Sequence, residues 1–126
     1  MAGLTVGTAQ TPYDSQRQDQ QIKTITFSGD GADATEIVAA VAGKQILITG
    51  GWLSWSAATA ESLSIKSGTT TLYTIYLSDT AGQFVMNSGI HTVAGEALNL
   101  DKSGAAQVVS GWLEYKIVEN QEPVLF

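Results

Sequence analysis

The sequence has 126 residues, a length that suits one domain able to bury a core without help from a disulfide or a structural metal. It contains no cysteine and one histidine, which excludes thiolate metal centres, iron–sulfur clusters, cysteine nucleophiles and multi-histidine metal sites. Six Lys and Arg against 12 Asp and Glu give a net charge of −6, so neither nucleic acid nor an anionic membrane is expected as a partner.

Charged residues make up only 14% of the chain, against about a quarter in an ordinary soluble domain. So low a charge content predicts that part of the surface is covered by other copies or by a partner. The first residues, Met1 to Gln10, lack a basic stretch followed by an apolar one, so no secretion signal is expected. The longest apolar run, Ile37 to Ala42, is too short to cross a bilayer, and a soluble product is expected.

Residues 1–21 open with Ala, Gly and Thr and continue through Asp14 and a Gln-rich stretch to Gln21, with few side chains able to fill a core. Burial there returns too little to offset the entropy of ordering, so this segment reads as a flexible N-terminal arm or a frayed end, outside a domain over 22–119. From Ile22 the apolar pattern has a period of two. Ile25 and Phe27 alternate with threonines, which predicts a strand. Asp33 to Gly43 carries helix features, a capping residue, alanines and a final glycine, but Thr35–Val41 is read as a strand because its neighbours are strands. Ile46 and Ile48 begin a long run to Trp55, and Gly50-Gly51 within it predicts a bulge or a bend at which the strand changes direction or sheet. Leu63 and Ile65, a tight turn at Ser67-Gly68-Thr69, and Tyr73, Ile75 and Leu77 make the clearest hairpin. Phe84–Met86, Ile90–Val93 and Ala97–Asp101 follow as short strands. Val109 to Ile117 is the last, with Trp112 on the face opposite Leu113 and Tyr115. Short strands at even spacing predict an all-β fold, an antiparallel β-sandwich or barrel.

Few residues invite chemistry. Gly29-Asp-Gly31 follows a strand, as a dinucleotide fingerprint does, but no parallel βαβ series follows it, so a turn is expected. Asp30, Asp33 and Glu36 could offer oxygens to calcium, yet EF-hand spacing is absent and no metal or other cofactor is expected. His91 is the one imidazole available as a general base, and without a nucleophile elbow or a paired-carboxylate signature the chain is not expected to be an enzyme. The tryptophans carry more. Trp52 and Trp55 fall on opposite faces of a regular strand, and Trp112 leaves the apolar face of the last one, so at least one large ring covers an interface. The segment 120–126 ends in Val124, Leu125 and Phe126, apolar side chains that would pack on their own domain or on a neighbour. Trp52, Trp55, Trp112, Val124, Leu125 and Phe126 are therefore the candidate oligomer or partner contacts.

Ala42-Gly-Lys44 leading into Gln45-Ile-Leu-Ile48, then Gly95-Glu-Ala-Leu-Asn-Leu100, then Val109-Ser-Gly-Trp-Leu-Glu-Tyr115 resemble, in that order, stretches of small β-sandwich virion proteins of tailed bacteriophages. The resemblance covers about residues 22–119 and rests on turn glycines and alternation. It implies a jelly-roll-like domain serving as a capsid decoration (cement) protein or a fibre or tail module, often a homotrimer. The implied location is the capsid surface of a virion made in the host cytoplasm, with the major capsid protein as partner. The alternative reading is a carbohydrate- or receptor-binding module, in which a tryptophan stacks on a sugar.

Overall fold

The computed structural model describes residues 3–10 and 22–119. Among the described residues nine strands run in chain order: β1 (Thr5–Val6), β2 (Lys23–Gly29), β3 (Thr35–Val38), β4 (Lys44–Trp55), β5 (Glu61–Ser67), β6 (Thr70–Leu77), β7 (Gly82–Met86), β8 (Leu98–Lys102) and β9 (Val109–Glu119). They form two antiparallel sheets, a five-stranded one in the order β1-β2-β9-β4-β7 and a four-stranded one in the order β3-β8-β5-β6. From β2 onward every connection except the β5–β6 hairpin passes from one sheet to the other. Among the described residues no helix is long and apolar enough to cross a membrane.

Alternation explains the layers. Ile25 and Phe27 of β2, Ile46, Ile48 and Leu53 of β4, and Val109, Leu113 and Tyr115 of β9 point inward from the larger sheet. Leu63 and Ile65 of β5, Ile75 and Leu77 of β6, and Leu98 and Leu100 of β8 belong to the smaller one. These side chains make one buried cluster, and burying each is worth roughly 1.5–3 kcal/mol, so the alternation is the source of the sandwich-like arrangement.

Several elements differ from the sequence expectation. Strand β3 stops at Val38 rather than Val41, and no helix forms from Asp33 to Gly43. A bulge between Ile48 and Gly50 matches the Gly50-Gly51 signal, but β4 stays in one sheet and pairs with β9 on both sides of it. Ile90–Val93 is not a strand. It holds a single bridge, Leu47 to His91, beside main-chain bonds from Ile48 to Ile90 and from Thr92 to Ile46. The β7–β8 connection thereby serves as the neighbour of β4 before the bulge, where β7 no longer does.

Residues 3–10, part of the expected arm, lie along β2: Thr5 and Val6 pair with Ser28 and Phe27, Gln10 bridges Thr24, and Leu4 is buried. Residues 11–21 of that arm lie outside the described residues, as does the segment 120–126.

Candidate interaction surface

The outer face of the five-stranded sheet brings the tryptophans of β4 and β9 together. Register places Thr26 beside Trp112, Trp112 beside Trp52, and Trp52 beside Val85, so one row crosses β2, β9, β4 and β7. The next row is Ser28, Ser110, Ser54 and Gln83. Neither row carries a charge. The first carboxylate on this face is Glu114, which accepts a 3.0 Å bond from the Thr49 hydroxyl beside the bulge.

The backbone beneath this pair is drawn tight. A Cβ on Gly111 would collide with the Trp52 carbonyl oxygen, and one on Gly51 would lie 2.8 Å from that of Trp112. Two glycines on the inner face thus let β4 and β9 approach at the tryptophan pair, and they leave room for Phe27, Leu53 and Leu113 in the core. On the outer face the Trp52 indole N–H donates to the Gln83 side-chain oxygen at 2.9 Å, which fixes the ring. Trp112 remains 39% exposed and Val85 66%. Covering what is left of one such ring is worth on the order of 2 kcal/mol.

Trp55 plays a different part. It points toward the core side, packs partly buried against the cluster, and lies on Gly82 of β7. Its indole N–H donates to the Thr80 carbonyl oxygen at 3.0 Å and lies 3.2 Å from the Ser78 hydroxyl. Its ring is spent on the β6–β7 loop. Val124, Leu125 and Phe126 lie outside the described residues.

One end of the molecule holds a polar cluster that no local motif announces. Lys102, with a fully buried side chain, forms a 2.9 Å ion pair with Glu61, whose side chain is 8% exposed. The Lys102 ammonium also donates to the carbonyl oxygens of Gly104 at 2.7 Å and Asp30 at 3.3 Å. Glu61 accepts from the main-chain N–H groups of Ala106 and Gln107. Gln107 completes the cluster by donating to the carbonyl oxygens of Ser56 and Ser78. Four loops, β2–β3, β4–β5, β6–β7 and β8–β9, are thus tied to one buried pair. Burial pushes the Glu61 carboxyl up, but its bonds from Lys102, Ala106 and Gln107 and the Lys102 charge outweigh this and hold it below its ordinary 4.5.

The remaining candidates are scattered. Nδ1 of His91 lies 3.2 Å from the Gln45 amide nitrogen and 3.1 Å from the Thr92 carbonyl oxygen. Gly29 takes a φ of +124° and is followed by a loop and β3. Asp30 and Asp33 lie on that loop and Glu36 on β3, and among the described residues no three His, Cys, Asp or Glu side chains converge on a metal position.

Comparison of the chain with protein-family models and with curated proteins found no match.

Proposed function

We propose that this chain is a structural protein of a tailed-bacteriophage virion, a capsid decoration (cement) subunit that binds the outer surface of the head and stabilises it. The observation that carries the reading is the uncharged row Thr26, Trp112, Trp52 and Val85 across the outer face of the larger sheet. Ordinary solvent-facing sheet surfaces are polar and charged, whereas a pair of large aromatic rings with a row of small hydroxyls beside it suits the centre of a protein contact. On a chain of net charge −6, an uncharged row adds no local repulsion where like copies meet.

Strand order supports the finer fold assignment. The order β2-β9-β4-β7 opposite β3-β8-β5-β6, with the chain winding between sheets at all but one hairpin, fits a jelly roll, an architecture used by viral capsid and lectin domains. Fold alone does not give function, so the assignment to a capsid leans on the sequence resemblance and the aromatic row together. In this reading Trp52 and Trp112 meet sister copies in a homotrimer on the head, the partner is the major capsid protein, and three linked copies bind a symmetric shell with the gain of avidity.

The test combines light scattering with co-sedimentation on heads assembled from the major capsid protein of the same genome. A trimer that saturates the heads, and a Trp112→Ser variant that is folded, dissociated and at least about tenfold weaker on heads, are the expected results. A monomer that leaves the heads bare would overturn the reading. The second reading, a carbohydrate-binding face, draws on the same exposed Trp112 among Ser28, Ser54, Ser110 and Gln83. It is favoured if a monomer shows glycan-dependent quenching of tryptophan emission that Trp112→Ser removes.

A further inference from the structure

We infer that the free edge of β6 is a second, separate contact, at which two copies of this chain pair β6 to β6 in antiparallel fashion about a two-fold axis. Strand β6 ends the order β3-β8-β5-β6 and so presents one side of its backbone unpaired among the described residues. It has 8 residues, whereas the other sheet edges have 2 (β1), 4 (β3) and 5 (β7). Monomeric proteins protect such an edge with lysines, prolines, bulges or brevity. Thr70–Leu77 has no charge and no proline. Its one irregularity falls at Leu72, between the pairs Lys66 to Thr71 and Ile65 to Tyr73, which leaves Tyr73–Leu77 regular.

A second copy is the occupant that the charge pattern favours. Two molecules of net charge −6 repel, so an element that adds no further like charge to the contact is a favourable place for copies to meet. Beside β6, the outward side chains Ser62 and Ser64 of β5 are neutral, and Lys66 is already neutralised by Asp101 at 2.7 Å. The strand also complements itself. Pairing centred on Ile75 sets Thr74 opposite the Tyr76 of the second copy on the outer face, and Tyr73 opposite its Leu77 on the inner one. That covers Tyr76, which is 82% exposed, and Tyr73, which is 44% exposed and stacks on Phe84 with ring centres 6.3 Å apart. Beside the stack lies a cleft of about 400 Å³, to which β6 contributes Tyr73 while β7 and the turn after it supply the other walls, Phe84 to Ile90. The result of the pairing is two four-stranded sheets joined into one, with main-chain hydrogen bonds giving affinity and the tyrosines giving register.

The experiment is sedimentation velocity on the full chain and on two oppositely charged double variants, Thr74→Lys with Tyr76→Lys and Thr74→Glu with Tyr76→Glu. Each variant alone places like charges across the two-fold pair, and the assembled mass is expected to fall by a factor of two or more. Mixing the two is expected to restore the wild-type mass, which a variant that merely misfolded could not do. Masses unchanged in both variants, or a mixture that stays at the reduced mass, would overturn the proposal. Trp112→Ser acts on the other sheet, so failure of the capsid reading leaves this comparison intact.

Discussion

Parity along a strand makes some single residues readable in advance and leaves others hidden. Counting by twos was enough to place Trp52 and Trp55 on opposite faces and Trp112 away from Leu113, and the structure has each of them so. The same count could not tell which partner each ring would find, because Gly82, Gln83 and Thr80 reach the tryptophans only through the pairing of β4 with β7. No local pattern joins Glu61, Lys102 and Gln107: Glu61 lies 41 positions from Lys102 and 46 from Gln107, and each looks like an ordinary surface residue in sequence. A lysine with no exposed side chain must keep its partner. Lys102→Met leaves the largely buried Glu61 without its counter-ion, and denaturant unfolding is expected to show a loss of about 3–5 kcal/mol. The lowered carboxyl of Glu61 sets the sign of the acid response. Its contribution is complete above the ordinary value of 4.5 and is lost as the pH falls through the lower folded value, so Glu61→Gln, weaker at neutral pH, is expected to flatten the melting-temperature profile below 4.5.

Whole elements were legible where alternation was clean. The β5–β6 hairpin follows from two alternating runs around Ser67-Gly68-Thr69, and Gly68 takes the positive φ of +57° that the two-residue turn needs. Strand β3 was ambiguous because alanines and a terminal glycine suit a helix, and pairing with β8 decides it, a non-local contact that local propensity does not encode. The run Ile90–Val93 has strand composition but lies between Gly89 and Gly95, both at positive φ, so it bends along β4 and makes only one bridge. What holds it there is a side chain. The buried Thr92 hydroxyl accepts the Ile46 N–H at 2.9 Å, while the Thr92 N–H donates to the Ile46 carbonyl oxygen at 3.0 Å. Thr92→Val keeps the shape and strands the Ile46 N–H, with an expected cost of about 1–3 kcal/mol and faster hydrogen exchange at Ile46, measured by denaturation and NMR.

At the scale of the molecule, a core shared by two sheets leaves each sheet one outer face, and the two faces differ. The smaller sheet shows Ser62, Ser64, Lys66, Asp101 and Tyr76, an ordinary hydroxylated and ion-paired surface apart from its β6 edge. The larger sheet shows the uncharged aromatic row. Low charge content in the sequence predicts a covered surface without saying where, and the register that sets Trp52 against Trp112 shows which face carries the large uncharged rings. At the end of the molecule that carries Glu61, four loops are pinned by one ion pair, and among the described residues every buried side-chain nitrogen and oxygen has a partner. A fully satisfied buried network of this kind holds the four loops in one arrangement.

The most direct measurement of that account is hydroxyl-radical footprinting, read residue by residue by mass spectrometry, on the chain diluted to its smallest species and on the chain assembled on heads. Oxidation of Trp112 is expected to fall several-fold on assembly, while that of Tyr115, buried in the core in either state, does not change. Equal oxidation of Trp112 in the two states would show that the aromatic row is not where this protein binds.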